Sequence, residues 1–243
     1  MPYRRLPNTD SSRLKALEIS LKKGQDIPPF NLAFSQSSYQ KVQSFLPLWQ
    51  KSLIENKTTF NVQIKNNKEY LKKQKKAKIY ISHFIQVINM GIIRGELPAS
   101  IKNYYKLPID DKKIPSLNTE NDIIYWGENT ILGETKRKME GHSPITNPTI
   151  AIVKVHYDNF IEAYKFQKTL QKNHARTLQN IASLRKNADE IILHIWNDVE
   201  SFFNNLSEDQ KRIEAQKYGI TYVYRKNELG KIQLFKDDFQ QTI

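Results

Sequence analysis

The chain has 243 residues, of which 39% are hydrophobic and 26% charged, as is usual for a globular protein with its own core. It contains no cysteine, which excludes disulfides, thiolate metal sites and cysteine nucleophiles. Its net charge of +13 is unevenly placed, because residues 1–120 hold 21 Lys and Arg against 9 Asp and Glu, whereas residues 121–243 hold 17 against 16. This asymmetry predicts an acidic partner for the N-terminal half.

Residues 1–33 are predicted to form a basic tail, a short helix and a linker that contains proline. The prolines on either side of the PYRRLP sequence favour an extended tail. Arg4 and Arg5 are therefore candidates for binding the phosphates or carboxylates of a partner. Asn8–Asp10 supplies N-cap residues for the short helix, which we expect to stop at Gly24.

No secretory signal is expected at the N-terminus, because no apolar run follows its basic residues. The apolar stretch 79–93 is too short to span a membrane and contains several polar residues. These features predict a cytoplasmic protein with no membrane partner.

Two segments lack both Gly and Pro, namely Leu48–Met90 and Thr149–Tyr218. Apolar residues recur in both at intervals of three or four, which predicts amphipathic helices. A shift of 107 residues brings the two segments into register and pairs 65–67 with 172–174, which indicates an internal repeat. Both triplets contain Asn, a residue that tolerates turn conformations, so each segment is predicted to fold as a helical hairpin.

The predicted fold is mainly all-α, an antiparallel four-helix bundle made from the two repeated hairpins. The alternative is a long antiparallel two-helix coiled coil, because the apolar spacing passes through both triplets without a phase break. We predict one bundle domain over 34–219, built from a first hairpin (34–97), a crossover with a short helix (98–147) and a second hairpin with a short helix (148–219). A small β-hairpin and tail are predicted for 220–243.

Five lysines on one side of the first helical segment form the main candidate site. Lys68, Lys72, Lys73, Lys75 and Lys76 fall within an arc of about 160° at 100° per residue. An amphipathic helix would place such lysines in solvent whether or not they bind anything. A dense cluster of this kind is also suited to binding an anionic partner.

The same arc continues toward the end of the helix with the apolar residues Ile79, Tyr80, Val87, Met90 and Ile93. We therefore expect this later part of the helix to be covered on both sides. The five lysines would then lie at an exposed end of the bundle, next to the turn predicted at 65–67.

No set of residues indicates a catalytic site or a cofactor. A weak metal candidate is formed by Glu190, His194 and Asp198, which are spaced by four residues on one helix face. Charged residues at this spacing usually form an ordinary solvated face, which is the simpler interpretation.

Five strings carry a resemblance to known sequences, namely PYRRLPNTD, FSQSSYQKVQSFLPLW, ISHFIQVINMGIIRGELP, PSLNTE and NPTIAIVKV. They resemble an uncharacterised group of helical proteins of Bacteroidota bacteria. The resemblance implies a helical cytoplasmic protein and brings no activity, cofactor or site residue with it.

The sequence thus favours a non-catalytic helical interaction or scaffold protein that docks an acidic macromolecule, as a homo-oligomer or in a larger assembly. The first alternative is an RNA- or ribosome-associated protein in which the lysines and arginines contact phosphates. A weaker alternative is a metal- or ligand-binding bundle.

Overall fold

The computed structural model describes residues 2–110 and 113–224, which are mainly helical, as predicted. None of the helices in these residues is both long and apolar enough to cross a lipid bilayer. In chain order the elements are β1 (Tyr3–Arg4), α1 (Asp10–Asp26), α2 (Gln36–Ile93), a 3-10 helix (Ala99–Tyr105), α3 (Glu120–Met139), α4 (Ile150–Phe202), α5 (Glu208–Gln216) and β2 (Tyr222–Val223).

The two long segments are continuous helices, α2 with 58 residues and α4 with 53. The turns predicted at 65–67 and 172–174 are therefore wrong. The four-helix bundle made from two hairpins is not confirmed, because one uninterrupted helix lies where each hairpin was predicted. These helix bounds fit the alternative of two long helices.

The asparagines that suggested turns form hydrogen bonds between the two helices instead. Asn66 Nδ2 donates to Gln167 Oε1 at 2.9 Å, and Gln167 Nε2 donates to Asn67 Oδ1 at 3.3 Å. Because the amide side chains find partners on the facing helix, they do not need to be exposed to water in a turn. The helix can therefore continue through these residues.

The chain divides into two compact units. The first unit contains the residues up to Thr58 and from Ala175 onward, and the second contains Thr59–His174. The boundary falls within α2 and within α4, so both long helices contribute residues to both units.

In the first unit, α1, the start of α2, the end of α4 and the residues after α5 surround one apolar core. Its largest fully buried side chains include Leu17, Trp49, Ile192 and Trp196. Two bidentate ion pairs attach α1 to α4, since Arg13 binds Asp189 and Arg185 binds Asp10.

The start of α1 agrees with the sequence, because Thr9 forms a capping box with Ser12. Its end differs, since the helix passes through Gly24 and reaches Asp26.

The strand predicted at the start of 220–243 is present as β2, and it pairs antiparallel with β1. Tyr3 lies opposite Val223, and Arg4 lies opposite Tyr222. The second strand of the predicted C-terminal hairpin lies outside the described residues.

In the second unit, α2 and α4 run antiparallel. Along α2, Phe60 contacts His174, Tyr70 contacts Phe160 and Tyr80 stacks on His156. The residue contacted on α4 has a lower number each time the residue on α2 has a higher one. The core is completed by α3, which begins at a capping box formed by Thr119 and Asp122, and by the 3-10 helix.

We predict that Lys65→Pro destabilises the protein by about 3 kcal/mol or more, because Lys65 lies inside a continuous helix. Proline removes one backbone hydrogen bond and clashes with the preceding turn. Lys65 is exposed, so lost side-chain packing does not complicate the result.

Urea unfolding followed by far-UV circular dichroism measures this difference. The control is Lys65→Ala, for which the free energy of unfolding should change by about 0.5 kcal/mol or less. If proline were tolerated as well as alanine at this position, the chain would turn here and the continuous helix would be wrong.

Candidate anionic-partner surface

The lysine face, defined as Lys68, Lys72, Lys73, Lys75 and Lys76, lies within α2 in the second unit. On the opposite side of the helix, Tyr70 and Ala77 are buried in the core. Lys73 is half-buried, and the other four lysines are exposed. The predicted exposure is therefore confirmed, whereas the predicted position beside a turn is wrong.

Glu69 is the single carboxylate within the lysine face. Its Oε1 atom lies 2.7 Å from Lys72 Nζ. This hydrogen bond, with the charges of Lys72 and Lys73, lowers the pKa of Glu69. Among the described residues, Lys68, Lys75 and Lys76 form no ion pair or side-chain hydrogen bond. The lysine face therefore carries a net positive charge that its own chain does not neutralise.

Apolar residues lie beside these lysines on the outer side of α2. Ile64, Leu71 and Ile79 are each roughly half exposed, and at 100° per residue they fall on or next to the arc of the lysines. Met90 and Ile93, further along, are also exposed. The prediction that the apolar end of this arc is covered is therefore right for Tyr80 and Val87, which pack against the core, and wrong for Ile79, Met90 and Ile93. Apolar surface thus accompanies the lysines.

The two arginines of the N-terminal segment have different environments. Arg4 Nη1 donates to Glu200 Oε2 and to Asn197 Oδ1, both at 2.9 Å, so an external anion would compete with the chain's own carboxylate. The side chain of Arg5 is exposed and forms no ion pair within the described residues.

The metal candidate does not assemble. Glu190 and His194 are exposed, whereas Asp198 Oδ2 accepts hydrogen bonds from Ser35 N at 3.2 Å and from Ser38 Oγ at 3.4 Å. Asp198 thus stabilises the first turn of α2, where the helix dipole favours a negative charge. Within 2–110 and 113–224, no three His, Asp or Glu side chains come close enough to hold a metal ion.

A buried polar cluster that was not predicted from the sequence lies in the second unit, centred on Glu134 of α3. Its carboxylate accepts from Arg137 Nε at 2.9 Å, from Arg137 Nη2 at 3.0 Å and from Ile145 N at 2.9 Å. It also accepts from the hydroxyl of Tyr105. The Glu-x-x-Arg spacing on a predicted helix was a signal for the ion pair. No short-range pattern pointed to Tyr105 or Ile145.

Close backbone contact makes this cluster possible. A Cβ atom on Gly133 would lie 2.4 Å from the carbonyl oxygen of Tyr104, so only glycine lets α3 approach the 3-10 helix this closely. The contact places Tyr105 within hydrogen-bonding reach of Glu134.

Hydrogen bonding decides the ionisation of the cluster. Burial acts to raise the pKa of Glu134, but the hydrogen bonds from Arg137, Tyr105 and the Ile145 backbone outweigh it and leave the pKa below its usual value. Burial and the hydrogen bond to Glu134 together raise the pKa of Tyr105. Both oxygens of the carboxylate are saturated with donors, so the cluster serves to join elements.

No protein-family model matches the chain, and no curated protein or solved structure matches it either. The resemblance to helical proteins of Bacteroidota stays a prediction.

We predict that Glu134→Gln destabilises the protein by roughly 3–5 kcal/mol at pH 7, because Arg137 keeps its buried charge and loses its partner. A carboxyl whose pKa is lowered in the folded state stabilises that state above its unfolded pKa, here near 4.5. The stabilisation is lost as the pH falls through the lower folded value.

Urea unfolding of the wild type and the variant between pH 7 and pH 3 measures this effect. The gap between them should shrink as the pH falls. Glu162→Gln, a change at an exposed glutamate of the same unit, should show almost no gap at any pH. A gap for Glu134→Gln that stayed constant with pH would contradict the ionised pair.

Proposed function

We propose that the protein is a non-catalytic helical interaction protein that docks an acidic macromolecular partner through the lysine face. The observation that supports this proposal is the set of four exposed lysines on one side of α2, with Glu69 as the only carboxylate among them. A potential of this kind attracts an oppositely charged surface and orients it before contact. The absence of cysteine suits a cytoplasmic location, which we include in the proposal.

The exposed apolar residues favour an acidic protein over a nucleic acid. A protein partner can bury the exposed aliphatic side chains of Ile64, Leu71 and Ile79. Phosphate groups make no favourable contact with such apolar surface. Tyr70 is the single aromatic residue within the lysine run, and it is not available to stack on a base. Its ring packs on Phe160 in the core and its hydroxyl donates to Glu120.

The second candidate is an RNA- or ribosome-associated protein. The density of lysines supports it, since phosphate binding needs exposed cations and no particular apolar pattern. The two candidates differ in what they predict for the aliphatic residues. Removing aliphatic side chains weakens the binding of a protein partner and leaves the binding of RNA unchanged.

We predict that replacing Lys68, Lys72, Lys75 and Lys76 by Gln weakens partner binding by roughly 10- to 100-fold. Each exposed ion pair contributes roughly 0.2–1 kcal/mol, and the four contributions act together. The tagged protein is used to recover partners from its own cells, and affinities are then measured with the purified partner at increasing salt concentration.

The matched control replaces four exposed lysines of the first unit by Gln, namely Lys22, Lys41, Lys57 and Lys186. This control has the same net charge as the lysine-face variant, and it should bind like the wild type. Equal binding by all three proteins, or affinity that does not fall with salt, would rule out the lysine face.

A second variant, Ile64→Ala with Leu71→Ala, separates the two partner classes. We expect it to weaken binding to a protein partner and to leave the fold intact, because both side chains are exposed. If binding is lost after nuclease treatment and this variant binds normally, the partner is a nucleic acid.

A further inference from the structure

A cavity of about 510 Å³ lies in the first unit. Residues 5–8, the first half of α1 and residues 216–221 surround it, and Trp196 of α4 also lines it. Its volume falls within the range of small-molecule sites, roughly 300–1,000 Å³. We call it the Arg5–Lys15 cavity after the two charged residues in its lining.

The walls of the cavity are held by contacts that need no ligand. The backbone amide of Arg5 donates to the carbonyl of Thr221 at 2.8 Å, which continues the pairing of β1 with β2. Gly219 has a φ of +85°, and a Cβ atom there would lie 3.1 Å from Ile19. Glycine thus lets this turn lie against α1.

The charge of the lining is unbalanced. Arg5 and Lys15 both line the cavity, and none of the described lining residues is Asp or Glu. Neither side chain forms an ion pair or a hydrogen bond within the part of the chain that the structure describes. Nearby arginines behave differently, since Arg4 pairs with Glu200 and Arg13 pairs with Asp189.

Trp196 adds an unsatisfied donor. Its side chain is almost completely buried, and its Nε1 atom has no hydrogen-bond acceptor among the described residues. An indole N–H can only donate, and a buried donor without an acceptor costs about 1–3 kcal/mol. This nitrogen has almost no accessible surface, so Trp196 contributes its ring to the cavity lining and not its N–H.

The rest of the lining is partly apolar. Leu6, Ala16, Ile19 and Ile220 contribute aliphatic surface, and the Trp196 ring contributes aromatic surface. A bare inorganic anion would leave this surface facing water, whereas an organic ligand can cover it.

We propose that the Arg5–Lys15 cavity binds a small organic anion, with its acidic group at Arg5 and Lys15 and its apolar body against the aliphatic lining. A carboxylate or sulfonate can accept hydrogen bonds from both cations, and it supplies the negative charge that the lining lacks. This site belongs to the first unit and is independent of the lysine face in the second.

The test uses the full chain and the fluorescent anion 8-anilinonaphthalene-1-sulfonate, with decanoate as a competitor. We expect saturable binding at one site, displaced by decanoate and not by inorganic phosphate. The uncharged analogue N-phenyl-1-naphthylamine should bind at least about tenfold more weakly, because it lacks the group that the cations recognise.

Two variants identify the residues. Arg5→Gln with Lys15→Gln should lower the affinity by about tenfold or more, since hydrogen bonds to charged groups are lost. Lys22→Gln with Lys186→Gln has the same net charge, replaces exposed lysines outside the cavity lining, and should bind like the wild type.

Circular dichroism and thermal melting of each variant show that it is folded before the affinities are compared. The proposal is overturned if the wild type binds no anilinonaphthalene sulfonate. It is equally overturned if the Arg5 and Lys15 variant binds as tightly as the wild type, if the uncharged analogue binds equally well, or if phosphate competes like decanoate.

Discussion

The structure depends on covering one apolar stripe along each of two very long helices. α2 has 58 residues and α4 has 53. A single helix cannot cover its own apolar stripe, so helices in proteins gain most of their stability from packing against other elements. In the second unit the two helices cover each other in antiparallel orientation, as the contacts of Tyr70 with Phe160 and of Tyr80 with His156 show. The shorter elements complete each core, α1 and α5 in one unit and α3 and the 3-10 helix in the other.

The sequence predicted the helices well and their ends poorly, for one physical reason. Apolar spacing reports which residues face a core, but it does not report what the polar residues on the same face will meet. Asn66 and Asn67 suggested a turn because asparagine tolerates turn conformations, yet Gln167 supplies a hydrogen-bond partner for both from a position about 100 residues away. α2 also begins before the predicted Leu48–Met90 segment and contains Pro47, whose neighbours Phe45, Leu46 and Trp49 are buried in the core.

The same difference between local pattern and tertiary packing separates the sites that the sequence predicted from those that it did not. The exposure of the lysines follows from their positions on one helix, so periodicity alone predicted it. The buried cluster at Glu134 and the convergence of Arg5, Lys15 and Trp196 join residues that are distant in sequence. Such groups are brought together by tertiary packing, and a single sequence contains no local pattern that indicates them. The metal candidate failed because Asp198 already caps the start of α2.

The use of arginine and lysine explains why positive charge remains available. Arg13, Arg137 and Arg185 each bind a carboxylate through two nitrogen atoms, a geometry that the planar guanidinium favours. The carboxylates of Asp10 and Asp189 thus join α1 to α4, and that of Glu134 holds Arg137 within α3. Lysine holds a compact, strongly hydrated charge on a flexible stem and pairs less firmly, so the excess charge of the chain accumulates on exposed lysines. Arg5 departs from this division, since it forms no ion pair within the described residues and lines a cavity together with Lys15. Aliphatic side chains lie beside the two cations in this lining, so one organic anion can contact both, which is how the cavity differs from ordinary basic surface.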